Sequence, residues 1–303
     1  MTIAHLILAH KSPTQLERLV QALAYSQDSV FIHLDLKTDY QPFAKLALLP
    51  NVHFIRRRLD VKWGGYSLTQ AALEGMREIL RAPVKYDFIN LLSGEDYPIK
   101  PAAVIRDYLA QHIGSSFMAY QPDSTVWWHH NQRRITQYHF TDFRFRGRYF
   151  FQRLLNNLLP TRKAPPLSIL NGDNTGGWYT LSPECAAYVI DFIDNHPKLR
   201  RFVKYTWGSD EFLLHSILLN SPLAPTIINN NLRYMNWTEG GSSPKVLTSD
   251  DLPAILASPR LYARKFDLTL DASVLDKLDE VNNGGEQVKM GSDKSYYSLP
   301  LPD

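Results

Sequence analysis

Asp210 and Glu211 stand in the run Trp207-Gly208-Ser209-Asp210-Glu211, directly ahead of the apolar stretch FLLHSILL. A carboxylate at the rim of an apolar face can accept a hydroxyl proton once a bound acceptor has displaced the surrounding water. Burial raises the pKa of such a group, and a helix N-terminus opposes that shift. Ser209 reads as a helix cap, which puts both acids in the first turn, where they also complement the positive helix end. Glu211 is the candidate base. The candidate cations are Arg233 in NLRYMNW and Lys265 in LYARKFD. Together a rigid guanidinium fork and a mobile ammonium can neutralise charge growing on a departing diphosphate, a task often given to a divalent metal. Arg264 adjoins Lys265. Neighbouring strand residues face opposite ways, so only one of the two is expected to point at a site.

Other chemistries find less support. His129 and His130 are adjacent and His5 and His10 lie near the start, but none sits at a ligand spacing with acids, HLD lacks a second aspartate, and GDN reads as a turn. No catalytic metal is therefore expected. Neither LLSGED nor TLSPE has the form of a strained nucleophile turn. WGGYS is not a phosphate-cradling loop; Gly64 and Gly65 are expected to let backbone approach a flat ring closely. Trp63, Trp178, Trp207 and Trp237 are candidates for stacking on a base or a sugar ring, with core packing the alternative for each.

The elements that must position these groups follow from apolar periodicity. Ile3 to Ala9, Val30 to Leu34, Val52 to Ile55 and Tyr86 to Leu92 read as buried strands. Leu16, Leu19, Val20 and Leu23 share one helical face, and SLTQ at Ser67 has capping-box form ahead of a stripe through Leu68, Ala72, Met76, Ile79 and Leu80. Strand and helix alternate with short connections, which predicts an α/β fold with a mostly parallel central sheet and helices on both faces. Polar residues collect beyond successive strand ends: His10 and Lys11, Asp35 and Lys37, then Ser93 to Asp96. Ligands of open sheets bind there. Further on, Ser182 and Pro183 start a helix containing Cys185, in an apolar run read as buried packing. No internal repeats are found.

The chain has 303 residues with a net charge of +3, too slight an excess to suggest nucleic acid by itself, and a single cysteine, so no intrachain disulfide can form. The segment from 121 to 166 differs in character, interleaving arginine with aromatics in WWHHNQRR and FRFRGRYFFQR. It reads as an acceptor-binding insertion or a contact surface, followed by a stiff connection, PTRKAPP. The apolar start is short and lacks a charged leader, and no apolar run reaches membrane-spanning length. The expected compartment is the cytoplasm, with contact at the inner face of a membrane left open.

Seven ordered landmarks, IHLDLK, VKWGGYSLTQAAL, YDFINLLSGEDYPIK, GGWYTLSPECAAYV, WGSDEFLLHSIL, LRYMNW and LYARKFD, resemble the core-2/I-branching N-acetylglucosaminyltransferase family, which is related to peptide O-xylosyltransferases. The resemblance runs from AHLILAHK to ARKFD. It implies a GT-A-like nucleotide-sugar transferase fold without the usual metal-binding aspartate pair. The implied reaction moves N-acetylglucosamine, xylose or another sugar from a UDP-sugar to an acceptor hydroxyl with inversion. On this resemblance Glu211 is the catalytic base and Arg233 and Lys265 hold the diphosphate. His10, Asp35, Lys37, Trp63 and Gly64 surround the nucleotide. Glu95, Asp96, Trp178 and Trp207 line the donor and acceptor cleft, and no cofactor or metal is needed.

The implied organisation is one domain. Residues 1–120 form mainly a nucleotide-binding half, 121–166 a variable insertion, 167–280 a catalytic half and 281–303 a tail, loosely ordered unless Tyr296, Tyr297 and Leu299 dock. Members from animals carry a membrane anchor and several cysteines, which the sequence lacks, so a compact bacterial-type enzyme is expected, acting on a glycan, glycolipid or other hydroxyl-bearing acceptor. The rival expectations are a glycoside hydrolase using paired carboxylates, and a noncatalytic module binding carbohydrate or nucleic acid.

Overall fold

A computed structural model describes residues 1–288 apart from Ser26, Ala164, Pro166 and Asn174. The expected docking of Tyr296, Tyr297 and Leu299, and parts of the stiff connection and of the GDN turn, lie outside the described residues. The elements in chain order are β1 (Ile3–Ala9), α1 (Pro13–Leu23), β2 (Ser29–Leu34), β3 (Val52–Phe54), α2 (Tyr66–Arg81), β4 (Phe88–Ser93), β5 (Asp96–Pro98), α3 (Ala102–Ala110), β6 (Ser116–Met118) and α4 (Ser124–Thr136). They continue with α5 (Arg148–Leu158), β7 (Tyr179–Leu181), α6 (Pro183–Asn195), α7 (Pro197–Val203), α8 (Leu213–Leu219), β8 (Ile227–Ile228), β9 (Arg233–Met235), α9 (Leu252–Ala257), β10 (Tyr262–Arg264) and α10 (Ser273–Val288).

Seven strands form a mixed, mostly parallel sheet in the order β3-β2-β1-β4-β7-β6-β8, with β7 antiparallel to both neighbours. Its central strands are buried on both faces, because alternate side chains feed two separate cores. Ile3, Ile7, Ile32, Phe88 and Leu92 pack with Leu16 and Leu19 of α1, Leu109 of α3 and Leu275 of α10. Ala4, Leu6, Phe31, Ile89 and Leu91 pack with Met76 of α2, Val189 of α6 and Leu214 of α8. Continuous apolar runs rather than alternating ones are what this double burial demands. Cys185 is fully buried in the second core.

A small sheet, β5-β10-β9, stands beyond the carboxyl end of β4. Its register sets Arg264 opposite Asp96, and Tyr262 beside Arg233. The turn from β4 into β5 is closed by Asp96, which accepts hydrogen bonds from the Ser93 amide at 3.0 Å and the Ser93 hydroxyl at 2.7 Å.

Three local expectations are corrected. Gly65, not Ser67, caps α2; the Ser67 hydroxyl is occupied with Asp142 at 2.5 Å, and the Ser67 amide with the same carboxylate at 3.1 Å. Ser209 does not cap the helix after it. Residues Ser209–Glu211 form a 3₁₀ turn of their own, and α8 begins only at Leu213. Ser209 is fully buried and shares a 2.8 Å hydrogen bond with Thr69 of α2. Finally, α10 continues to Val288, so the first positions of the expected tail are helical. The cap at Ser182 is as expected, its hydroxyl accepting from the Cys185 amide at 3.2 Å.

Candidate active site

Glu211 is held at the junction of three segments. The preceding turn is pinned to α2 through Ser209 and to the glycine loop through the Gly208 amide, which donates to the Gly64 carbonyl at 2.8 Å. The segment before β7 lies against the same turn: the Asp173 amide donates to the Glu211 carbonyl at 3.0 Å, and a Cβ on Gly177 would stand 2.2 Å from the Asp210 carbonyl oxygen. Only glycine permits that approach. The Glu211 side chain is mostly enclosed, and its Oε2 is paired with Arg134 of α4.

Burial pushes the Glu211 carboxyl up to about 7, the neighbouring Asp210 pushes the same way, and Arg134 opposes them. Asp210 is raised to about 6, chiefly by burial, and its Oδ1 has no hydrogen-bond partner. Asp173 is raised by burial too. Burial wins here because no regular helix starts at Ser209, so few orphan amides stabilise the charged form. The result is a carboxylate poised near neutrality, the condition for a general base.

The wall beside Glu211 is aromatic. The Arg134 guanidinium lies over the Trp207 ring at 4.3 Å, and Trp63 meets Trp207 edge-on with centroids 5.3 Å apart. Trp63 is 61% exposed, an indole held out from the surface beside the carboxylate. Gly64 has φ +68°, and a Cβ there would stand 2.5 Å from the Trp207 indole nitrogen. The expectation that this glycine lets backbone meet a flat ring is met, and the ring is Trp207. Gly65 answers to Asp142 instead, whose Oδ1 would be 2.1 Å from its Cβ.

On the far side, Trp178 carries Arg264 over its ring at 3.9 Å, and the Arg264 Nε is 3.3 Å from Asp96 without hydrogen-bond geometry. Asp96 is fully buried and raised by that burial, with Arg264 opposing the shift. Lys265, next along, is half-buried and has no ion pair or side-chain hydrogen bond among the described residues. Lys11 bridges Glu95 at 2.8 Å and Asp267 at 3.4 Å, so Glu95 orders this rim.

Arg233, expected to hold a diphosphate, lies in the interior. It is 3% exposed, and its guanidinium donates to the Thr180 hydroxyl at 3.0 Å, the Leu91 carbonyl at 2.8 Å and the Tyr179 carbonyl at 3.1 Å, as well as to Asn90 and the Asn231 carbonyl. Its two terminal nitrogens are taken up joining β9 to β4 and β7, its Nε is buried without a hydrogen-bond partner, and burial lowers its pKa to about 10. Beside Lys265, the mostly buried Arg264 is near enough to Asp210 for its charge to oppose the rise of that carboxyl. His10, Asp35 and Lys37 are gathered at the ends of β1 and β2. The His10 carbonyl accepts from the Thr38 hydroxyl at 2.8 Å, and Lys37 reaches Asp35 at 2.9 Å and Asp60 at 3.0 Å. Burial works against the charge on Lys37, but the two aspartates outweigh it and raise its pKa. Trp237 lies on the loop after β9, with its indole nitrogen shut off from water and unpartnered.

Arg134 was missed. Its only sequence signal is the basic doublet that closes WWHHNQRR, in a segment whose acceptor contacts no motif could assign. Among the described residues, no group of three or more His, Cys, Asp or Glu side chains is arranged to hold a metal ion.

A family model described as Core-2/I-Branching enzyme matches residues 3–256. Human "Xylosyltransferase 2" is 27% identical across 91% of this chain and 33% of its own length. "Xylosyltransferase oxt" of Drosophila pseudoobscura pseudoobscura is 28% identical across 88% of this chain and 31% of its own. The chain thus spans about a third of the length of the curated relatives it matches. Among solved structures, the apo WbbM bifunctional glycosyltransferase overlaps 95% of this chain and 51% of that one, at 12% identity and a TM-score of 0.42. With the family model matching well over half of its length, the chain belongs to the Core-2/I-branching enzyme family.

Proposed function

We propose that this chain is an inverting glycosyltransferase of GT-A-like fold that moves a sugar from a UDP-sugar to an acceptor hydroxyl without a metal ion. The observation that carries the reading is Glu211: a carboxyl raised to about 7, at the edge of an indole wall, in a fold whose Lys265 carries no ion pair among the described residues. In a single in-line displacement, Glu211 takes the acceptor proton as its oxygen attacks the anomeric carbon. UDP leaves from the opposite face, and Lys265 with Arg264 takes up the charge growing on the diphosphate. Trp63 offers an exposed ring to a base or sugar, and Trp207 holds Arg134 and Trp63 in place beside Glu211. His10, Asp35 and Lys37 flank the nucleotide, and Glu95 and Asp96 shape the rim.

N-acetylglucosamine is the donor sugar suggested by the family resemblance, and xylose the one suggested by the names of the relatives. A hydrolase needs two carboxyls facing each other across a substrate. Asp210 adjoins Glu211 on the same turn, and Asp96 is buried against Arg264, so neither supplies the second.

The test is to incubate the protein with UDP-xylose or UDP-N-acetylglucosamine and a panel of sugar and peptide acceptors in a chelator, and to read UDP release and the anomeric configuration of the product. Transfer with inversion in chelator is expected. Activity lost in chelator and restored by manganese alone, or a product of retained configuration, would refute the mechanism.

A further inference from the structure

Helix α5 is built inside out. Gln152 and Asn156, one turn apart, face the protein: the Gln152 amide oxygen accepts from the Phe140 backbone at 2.8 Å, and Asn156 clasps the Tyr138 amide and carbonyl at 2.7 and 2.9 Å. With the polar side fixed inward, Phe150, Leu154 and Leu158 form a stripe at i, i+4 and i+8 that is 68%, 40% and 71% exposed, and no residue of α5 is buried. A helix that only capped this part of the fold would carry its apolar side inward. The apolar side is presented to something else.

The surroundings say what kind of surface that is. Residues 143–163 contain six arginines and lysines and no acid. Arg146 and Arg153 are exposed beside the stripe. Next to this segment a hollow of about 690 Å³ is lined by Lys198, Arg200, Arg201 and Lys204 and by no acidic side chain, although Arg200 also meets Asp194 at 3.8 Å. Lys204 lies over the Phe143 ring at 5.4 Å, which joins the hollow to the helix in one face. Aliphatic side chains flanked by cations suit the boundary of an anionic bilayer, where the stripe enters the acyl region and the cations meet lipid phosphates. Phe145, Tyr149, Phe150 and Phe151 are exposed too and would offer bases a stacking face, but Leu154 and Leu158, which continue the stripe, would not, so the stripe as a whole suits acyl chains better than nucleic acid.

We propose that α5 and its basic flanks dock this protein on the surface of an anionic lipid bilayer, lying in the interface and not crossing it. Among the described residues no helix is long and apolar enough to cross a membrane. The docking face adjoins the catalytic cleft. Asp142, just ahead of the segment, holds Ser67 beside the glycine loop, and Arg144 pairs with Asp60 at 2.7 Å. An acceptor carried in the bilayer would meet the enzyme at this edge. That corollary rests on the proposed transferase reading, whereas the docking does not.

The experiment is vesicle flotation of the whole protein with equal parts phosphatidylglycerol and phosphatidylcholine, against phosphatidylcholine alone. Three chains are compared: unaltered, F150S/L154S/L158S and R146E/R153E, each checked for melting temperature and for oligomeric state by size-exclusion chromatography with light scattering. Flotation with the anionic vesicles is expected. Each variant should bind at least about tenfold more weakly while melting like the parent, because both residue sets face outward. Three outcomes would overturn the proposal: no flotation of the unaltered chain, equal flotation of all three chains, or a dimer that forms in solution and is abolished by the serine variant. Loss of folding in the serine variant would show the stripe to be internal, and would overturn it as well. Since none of these readouts involves sugar transfer, the proposal stands or fails apart from the catalytic reading.

Discussion

If Glu211 is the base, the rate must report its titration. The ordinary value for a glutamate is 4.5, and burial with Asp210 at its side brings this one to about 7. The active form is the carboxylate, so log kcat/KM should rise with unit slope up to about pH 7 and then level. Between pH 8 and pH 6 the deprotonated fraction falls from roughly 0.9 to roughly 0.1, about a tenfold loss of rate, where an unshifted carboxyl would lose only about 3%. The same shift has a stability consequence of fixed sign. A carboxyl whose folded pKa lies above its unfolded pKa binds more protons in the folded state, so stability is greatest below about 4.5 and declines as pH rises toward 7. A shift of this size corresponds to a decline on the order of 3 kcal/mol. Glu211→Gln cannot titrate. It should lose about 10²- to 10⁴-fold in kcat and should also flatten the fall in melting temperature between pH 4.5 and 7, with Asp210 leaving its own part. Initial rates at subsaturating donor, alongside differential scanning fluorimetry over the same buffers, measure both. A full-rate Gln variant, or an acid limb near pH 4.5 with no change in the stability profile, would refute the reasoning.

Arg134→Met removes the charge that opposes the Glu211 shift, so the acid limb of the pH–rate profile should move to higher pH; an unmoved limb means that the pair does not tune the base. Gly64→Ala drives a Cβ toward the Trp207 indole at a left-handed φ, which should cost about 1–2 kcal/mol of stability from backbone alone and raise KM for the UDP-sugar, read by thermal melts and initial rates. Lys265→Met should lower kcat by about 10²-fold or more with little change in melting temperature, as expected for a cation that meets charge only as UDP leaves. Arg233→Met takes a donor from the Leu91 and Tyr179 carbonyls and the Thr180 hydroxyl and should destabilise the protein by about 1–3 kcal/mol for each buried acceptor left unsatisfied, seen as loss of folded protein rather than as a kinetic defect.

The framework was legible because β1, β2 and β4 bury both faces and so read as continuous apolar runs, and because α1 carries its leucines at helical spacing. Glu211 was legible as a residue, but its environment was not. The turn Ser209–Glu211 looks like a helix start, since Ser, Asp and Glu favour that position, yet Thr69 from another element takes the Ser209 hydroxyl. Arg233 and Lys265 looked equivalent as cations near strands. The difference lies in Asn90, Leu91, Tyr179 and Thr180, acceptors far away in sequence that converge on one guanidinium and bypass the other cation. Arg134 was hidden for the same reason, because nothing near it in sequence announces a partner 77 positions away. Local pattern governs which residues are buried; which buried polar groups meet depends on contacts distant in sequence.

The stretch from α4 to α5 joins the two regions of interest. At one end α4 brings Arg134 onto Trp207 and Glu211; at the other, α5 turns its apolar stripe outward. Between them Asp142 holds Ser67 beside the glycine loop, and Phe143 stacks on Tyr205, two positions before Trp207, with centroids 5.3 Å apart. Any shift of this stretch that drew Arg134 off Glu211 would remove a charge that lowers the carboxyl pKa, leaving a base that is stronger once ionised but protonated over more of the pH range. Conversely, if seating the stretch holds Arg134 in place, Glu211 stays available as the carboxylate near neutrality. The sign of that coupling makes an anchored insertion favour the reactive form of the base, so the same vesicles that bind α5 should lower the pH of the acid limb, or leave it in place, and never raise it.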